Sequence, residues 1–110
     1  MIRSAAKNFP DVLVIVDPSD YGWVAEKISC GQSFTKEERK KLAQKAFQHV
    51  AVYDTAISTW LSEAPLESTE LSIGLSKVTD LRYGEYPHQD AVLYRDTLGE
   101  GGIVQAEQLH

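Results

Sequence analysis

Cysteine is nearly absent. Cys30 is the only one in 110 residues, so an internal disulfide is impossible and a Cys-ligated structural zinc site, which needs at least two, is excluded. Such sparse cysteine usage fits a reducing, cytoplasmic setting. Long apolar runs are missing too. The longest is residues 12–16, VLVIV, far short of the roughly 20 residues that span a bilayer. The first eleven residues, MIRSAAKNFPD, hold no apolar signal core before Pro10. Positive charge is in deficit: 11 Lys+Arg against 16 Asp+Glu give a net charge of −5. That balance speaks against nucleic acid or an anionic membrane as partner, both of which select a basic footprint. It leaves room for a phosphate-bearing small molecule, which needs only one or two local cations. Zinc-helix, phosphate-loop, nucleophile-elbow and dinucleotide signatures are all missing. His49, His88 and His110 are too scattered to suggest a metal site.

What is present is ordinary globular composition, 43% hydrophobic and 25% charged, enough for one small domain at most. Residues 2–8 (IRSAAKN) read as the last turns of a helix whose start is missing, with Asn8 as C-terminal cap and Pro10 blocking continuation. The unbroken run at residues 12–16 predicts a parallel strand covered on both faces. Asp17-Pro18 then opens a helix over about residues 19–29, the Asp as cap and the Pro at the first position. Thr35-Lys-Glu-Glu38 is a capping box. It starts the longest helix, about residues 35–61, with Leu42, Ala46, Val50, Tyr53, Ile57 and Leu61 at buried-stripe spacing. A polar linker follows at 62–70. Alternation of Leu71, Ile73 and Leu75 predicts a half-buried strand, and residues 91–95 predict another.

Most chemically suggestive residues have plain explanations. Cys30 sits in a glycine-containing loop without an adjacent histidine, so an incidental thiol is expected. His49 lies one step from the apolar stripe and reads as a packing or surface residue. Arg39-Lys40-Lys41 reads as a solvated helix face. Two clusters are denser. Ser4-Ala-Ala-Lys7-Asn8 places an amine and an amide at a helix end beside two alanines that allow close approach. Residues 81–89, LRYGEYPHQ, gather a guanidinium, aromatic rings, an imidazole and an amide around a Gly and a Pro.

Three separated blocks carry a resemblance: residues 1–17 (MIRSAAKNFPDVLVIVD), 45–57 (KAFQHVAVYDTAI) and 81–89 (LRYGEYPHQ). In this order and spacing the chain resembles the bifunctional purine-biosynthesis enzymes that join IMP cyclohydrolase to phosphoribosylaminoimidazolecarboxamide (AICAR) formyltransferase. The resemblance implies an α/β fold. Residues 1–64 would be the C-terminal half of a methylglyoxal-synthase-like cyclohydrolase domain with a parallel sheet. Residues 65–80 would be linker and strand, and 81–110 the β-rich, hairpin-like start of the formyltransferase domain. It implies that this is a fragment, its Met1 an internal methionine taken as a start, and that alone it lacks both activities. A homodimer or other self-association is the expected partner state, since an uncovered strand seeks neighbours.

The resemblance also implies roles. Lys7 matches the cyclohydrolase lysine of the AAK-Asn motif, a general acid for the oxygen that departs as water when the carboxamide nitrogen of formyl-AICAR attacks the formyl carbon. Arg82 and Tyr83 match the Arg-Tyr pair that holds AICAR in the formyltransferase site, and His88 and Gln89 match the same loop. The formyl donor would be 10-formyltetrahydrofolate, which this fragment alone is not expected to bind. No metal is implied. One position departs from the family pattern Asn-Pro-His-Gln: residue 86 is Tyr, a bulky ring in place of a compact turn former.

Overall fold

The computed structural model describes residues 1–63, 69–82, 84–86, 88–99, 104 and 106. In chain order they form helix α1 (Ile2–Lys7), a 3-10 turn (Pro18–Asp20), helices α2 (Tyr21–Ser29) and α3 (Lys36–Leu61), and strands β1 (Leu75–Leu81) and β2 (Ala91–Asp96). The chain divides into two compact units, Met1–Ala51 and Val52–His110.

The first unit is helical. α1 ends as its sequence predicts: the Asn8 side chain donates to Ser4 O (2.9 Å), its backbone N–H to Ala5 O (3.1 Å), and its carbonyl accepts from Val12 N (2.8 Å). These bonds turn the chain back on itself. Ala6 and Ala46, both fully buried, form the core with Val14 and Ala43, and Ala5, Phe9 and Val16 pack against it. Ala6 of α1 and Ala43 and Ala46 of α3 bring only methyl groups to this core. Asp17 caps as predicted, its Oδ1 accepting from Ser19 N at 2.9 Å, but what it and Pro18 open is the 3-10 turn Pro18–Asp20, and α2 starts at Tyr21, two residues later than expected. α2 ends on Gly31 at φ 65. Gly31 N donates to Ile28 O (3.0 Å) and Gln32 N to Lys27 O (2.9 Å), the paired bonds of a Schellman motif, which needs a left-handed residue there. The capping box is reciprocal: Glu38 N donates to Thr35 Oγ1 (3.2 Å) and Thr35 N to Glu38 Oε2 (2.8 Å).

Two expectations need correction here. Residues 12–16 make no strand ladder. A strand exists through its neighbours' backbone groups, and the only ladder among the described residues joins β1 to β2. The α/β class stands, but the pairing described is antiparallel, not parallel. Arg39 is no solvated residue: half-buried, it donates from Nε to Phe9 O (3.1 Å) and from Nη1 to Phe34 O, bridging the turn after α1 to the loop before α3. Lys40 and Lys41 are exposed as expected.

In the second unit, β1 and β2 pair antiparallel from Leu75↔Asp96 to Leu81↔Ala91, with an irregularity between Lys77 and Thr79. The resemblance places a hairpin-like element within residues 81–110; the observed pairing instead joins β1, which lies mostly in the expected linker-and-strand stretch, to β2, and β1 starts four residues later than the alternation from Leu71 suggests. Thr97 clamps its base, giving both its N–H (3.1 Å) and its hydroxyl (2.9 Å) to Gly74 O. Gly74 is buried, and a Cβ there would lie 3.0 Å from Thr97 Oγ1 and 3.4 Å from Val52 Cγ1. The apolar stripe of α3 divides accordingly: Leu42 and Ala46 are buried, whereas Tyr53, Ile57 and Leu61 are exposed.

Candidate functional site

Lys7 is the last residue of α1 and is exposed. Its position follows from its neighbours: Ala6 faces the core, so the next side chain in the helix points to solvent. Among the described residues the Lys7 ammonium has no hydrogen-bond or ion-pair partner.

The other candidates belong to the second unit. Arg82 immediately follows β1 and is exposed. Tyr83 lies outside the described residues. The segment after it is shaped by two backbone bonds, Gly84 N to Gln89 O (2.9 Å) and Gln89 N to Tyr86 O (3.0 Å). A Cβ on Gly84 would meet Gln89 Cβ at 3.1 Å, so glycine permits this closure. Tyr86 keeps the turn by its backbone carbonyl, and its ring stacks on His88 (centroids 5.9 Å apart, 16° between planes). The bulky residue at 86 is thus accommodated outward. His88 and Gln89 are exposed. Arg82, His88 and Gln89 follow β1 in sequence within the second unit, while Lys7 sits in the first.

Sequence reasoning missed one cluster. The Lys45 ammonium donates to Asp20 Oδ2 (2.7 Å) and Asp17 Oδ2 (3.4 Å), and Trp23 Nε1 donates to Asp20 Oδ1 (3.1 Å). The available signal was Asp17 and Asp20 three apart on one turn, but their cation is 25 residues away from Asp20. Lys45, then Trp23, hold the Asp20 carboxyl below its usual range. Asp17 is lowered chiefly by Ser19, with Lys45 adding. Lys45 is raised, first by its bond to Asp20. A depressed carboxyl stabilises the fold above the ordinary aspartate range, and that contribution is lost as pH falls through the lowered value. The raised lysine contributes until pH climbs past its own shifted value. Below about pH 4 the first unit should therefore weaken as Asp20 and Asp17 take up protons. Asp20→Asn, neutral throughout, should flatten this acid limb. Urea unfolding by far-UV circular dichroism at several acidic pH values checks it; an unchanged slope in Asp20→Asn would contradict the assignment.

A profile of the family described as "AICARFT/IMPCHase bienzyme" matches residues 5–110. The chain belongs to this family. Among its relatives is the "Bifunctional purine biosynthesis protein purH" of Dictyostelium discoideum, 43% identical over 137 residues, covering all of this chain and 25% of that protein. The protein PurH of the same description from Acetivibrio thermocellus is 46% identical over 114 residues, and that from Leuconostoc mesenteroides 46% identical over 111, each covering all of this chain and 22% of the relative. This bienzyme-family chain therefore spans about a quarter of the length of the curated relatives it matches. The match includes Lys7 and the loop after β1. Neither a helix long and apolar enough to cross a membrane nor a His/Cys/Asp/Glu group suited to a metal occurs among the described residues.

Proposed function

We propose that this chain is a segment of an enzyme that formylates AICAR, with 10-formyltetrahydrofolate as donor, and closes the product to IMP in purine biosynthesis, in the cytoplasm. The observation that carries the reading is the family match over residues 5–110, which takes in both motif-bearing segments in order. The cyclohydrolase part would comprise residues 1–64 and the formyltransferase part would start at residue 81, with linker and strand between.

In ring closure the carboxamide nitrogen of formyl-AICAR forms a bond to the formyl carbon and the former carbonyl oxygen leaves as water. An exposed amine at a helix end, as Lys7 is, can reach that oxygen and deliver a proton to it. In formyl transfer, Arg82 is assigned to hold the AICAR nucleotide through its planar fork, which matches phosphate or carboxamide oxygens. Tyr83, His88 and Gln89 are assigned to the same nucleotide. Alone, the chain is expected to turn over neither substrate, since a general acid needs a bound, oriented partner. The test is a transplant: residues 1–110 replace the 114-residue matching segment of the Acetivibrio thermocellus relative. The chimera should carry out both steps; a folded chimera that performs neither would refute the proposal.

A second reading, a non-catalytic dimerisation fragment, is favoured by the second unit's surface. Leu75, Val78, Leu81, Val92 and Tyr94 on the two-stranded sheet are exposed, and such a sheet offers strand edges for pairing. Light scattering on the purified chain should show dimers or larger species; a monodisperse monomer with a cooperative melt would count against self-association.

A further inference from the structure

We propose that the cleft between α2 and α3 in the first unit binds a small planar aromatic carboxylate. The cleft holds about 340 Å³ and is lined by Asp20, Trp23, Glu38, Lys41, Leu42 and Lys45. Its volume lies within the range of small-molecule sites, roughly 300–1,000 Å³. The floor is apolar, with Leu42 only 3% exposed and the half-buried indole of Trp23 beside it. That indole is held from two sides, by its N–H bond to Asp20 (3.1 Å) and by an edge-on contact with Phe34 (centroids 5.8 Å apart). A ring already fixed loses little freedom when a second ring packs on it.

The polar groups of the cleft point to the sign of the ligand. Both carboxylates are already engaged at both oxygens. Asp20 accepts from Trp23 and Lys45; Glu38 accepts from Lys27 at one oxygen and from the Thr35 N–H and hydroxyl at the other. Lys45 is committed to two aspartates. The Lys41 ammonium, exposed, carries three donors and has no hydrogen-bond or ion-pair partner among the described residues. Glu38, Lys41, Leu42 and Lys45 are spaced three and four apart, so α3 presents them on one face. The open valence is one cation beside an apolar wall, which a carboxylate on a flat ring would complement. The lining includes neither Lys7 nor a residue of the Arg82 segment, and the proposal does not depend on their roles.

The test uses the 110-residue chain and two probes with one ring system, 2-naphthoate and its neutral analogue naphthalene-2-methanol, titrated by nitrogen–proton correlation NMR. Trp23 and the 82%-exposed Trp60 supply separate indole N–H signals. Expected is a saturable shift of the Trp23 signal with 2-naphthoate, binding about tenfold tighter than the neutral probe. Lys41→Gln should erase that preference, and Lys41→Arg should keep it. Lys41 is exposed, so neither substitution disturbs the core. The proposal is overturned if Trp23 does not respond, if Trp60 responds equally, or if Lys41→Gln leaves the preference intact.

Discussion

In the chimera carrying residues 1–110, Lys7→Ala should slow ring closure by about 10²–10⁴-fold, the usual contribution of a positioned general acid, and leave formyl transfer near its starting rate. Arg82→Lys should show the reverse. It keeps the charge but loses the planar fork, so the loss isolates the bidentate contact, worth about ten- to a hundredfold in formyl transfer. Both side chains are exposed and outside the core, so neither change should unfold the protein. Assaying the two steps separately in each variant decides the matter. Equal losses in both steps would indicate misfolding, and unchanged formyl transfer in Arg82→Lys would take the loop out of the site.

Leu42→Ala should have the largest effect on stability. Leu42 is 3% exposed, and deleting a buried leucine side chain costs about 2–5 kcal/mol through lost transfer energy and the cavity left behind. Against a total of about 5–15 kcal/mol for a small domain, that is a large share. Leu42→Met, which conserves volume, should cost less than about 1.5 kcal/mol. Urea midpoints read from the helical signal give both values. If the two variants unfold alike, the site relaxes freely and Leu42 is not a tightly packed floor.

Local signals in the sequence were the legible ones. Thr35 and Glu38 are three residues apart, and the reciprocal bonds they predict are those observed. The Asn8 cap and the Asp17-Pro18 turn are equally local. Features set by distant partners were not legible. Residues 12–16 have strand composition, but composition cannot supply the neighbouring backbone that makes a ladder. The alternation at Leu71, Ile73 and Leu75 fits a strand, yet pairing with β2 begins only at Leu75. Arg39 reads as one of three consecutive cations until Phe9 O, thirty positions away, becomes its acceptor. At the candidate site the motif residues were visible in the sequence. The Tyr86–His88 stack was not, because a turn pattern records the backbone and says nothing about where an unusual ring will rest.

α1 is held in its unit by Ala6, fully buried with Ala43 and Ala46 of α3, and by the Asn8 turn. Lys7 stands between these two anchors with its own side chain in solvent, so a ligand that grips its ammonium also ties down the end of the helix and should slow amide exchange there. Slowed exchange across α1 would then report occupancy at Lys7 even without turnover.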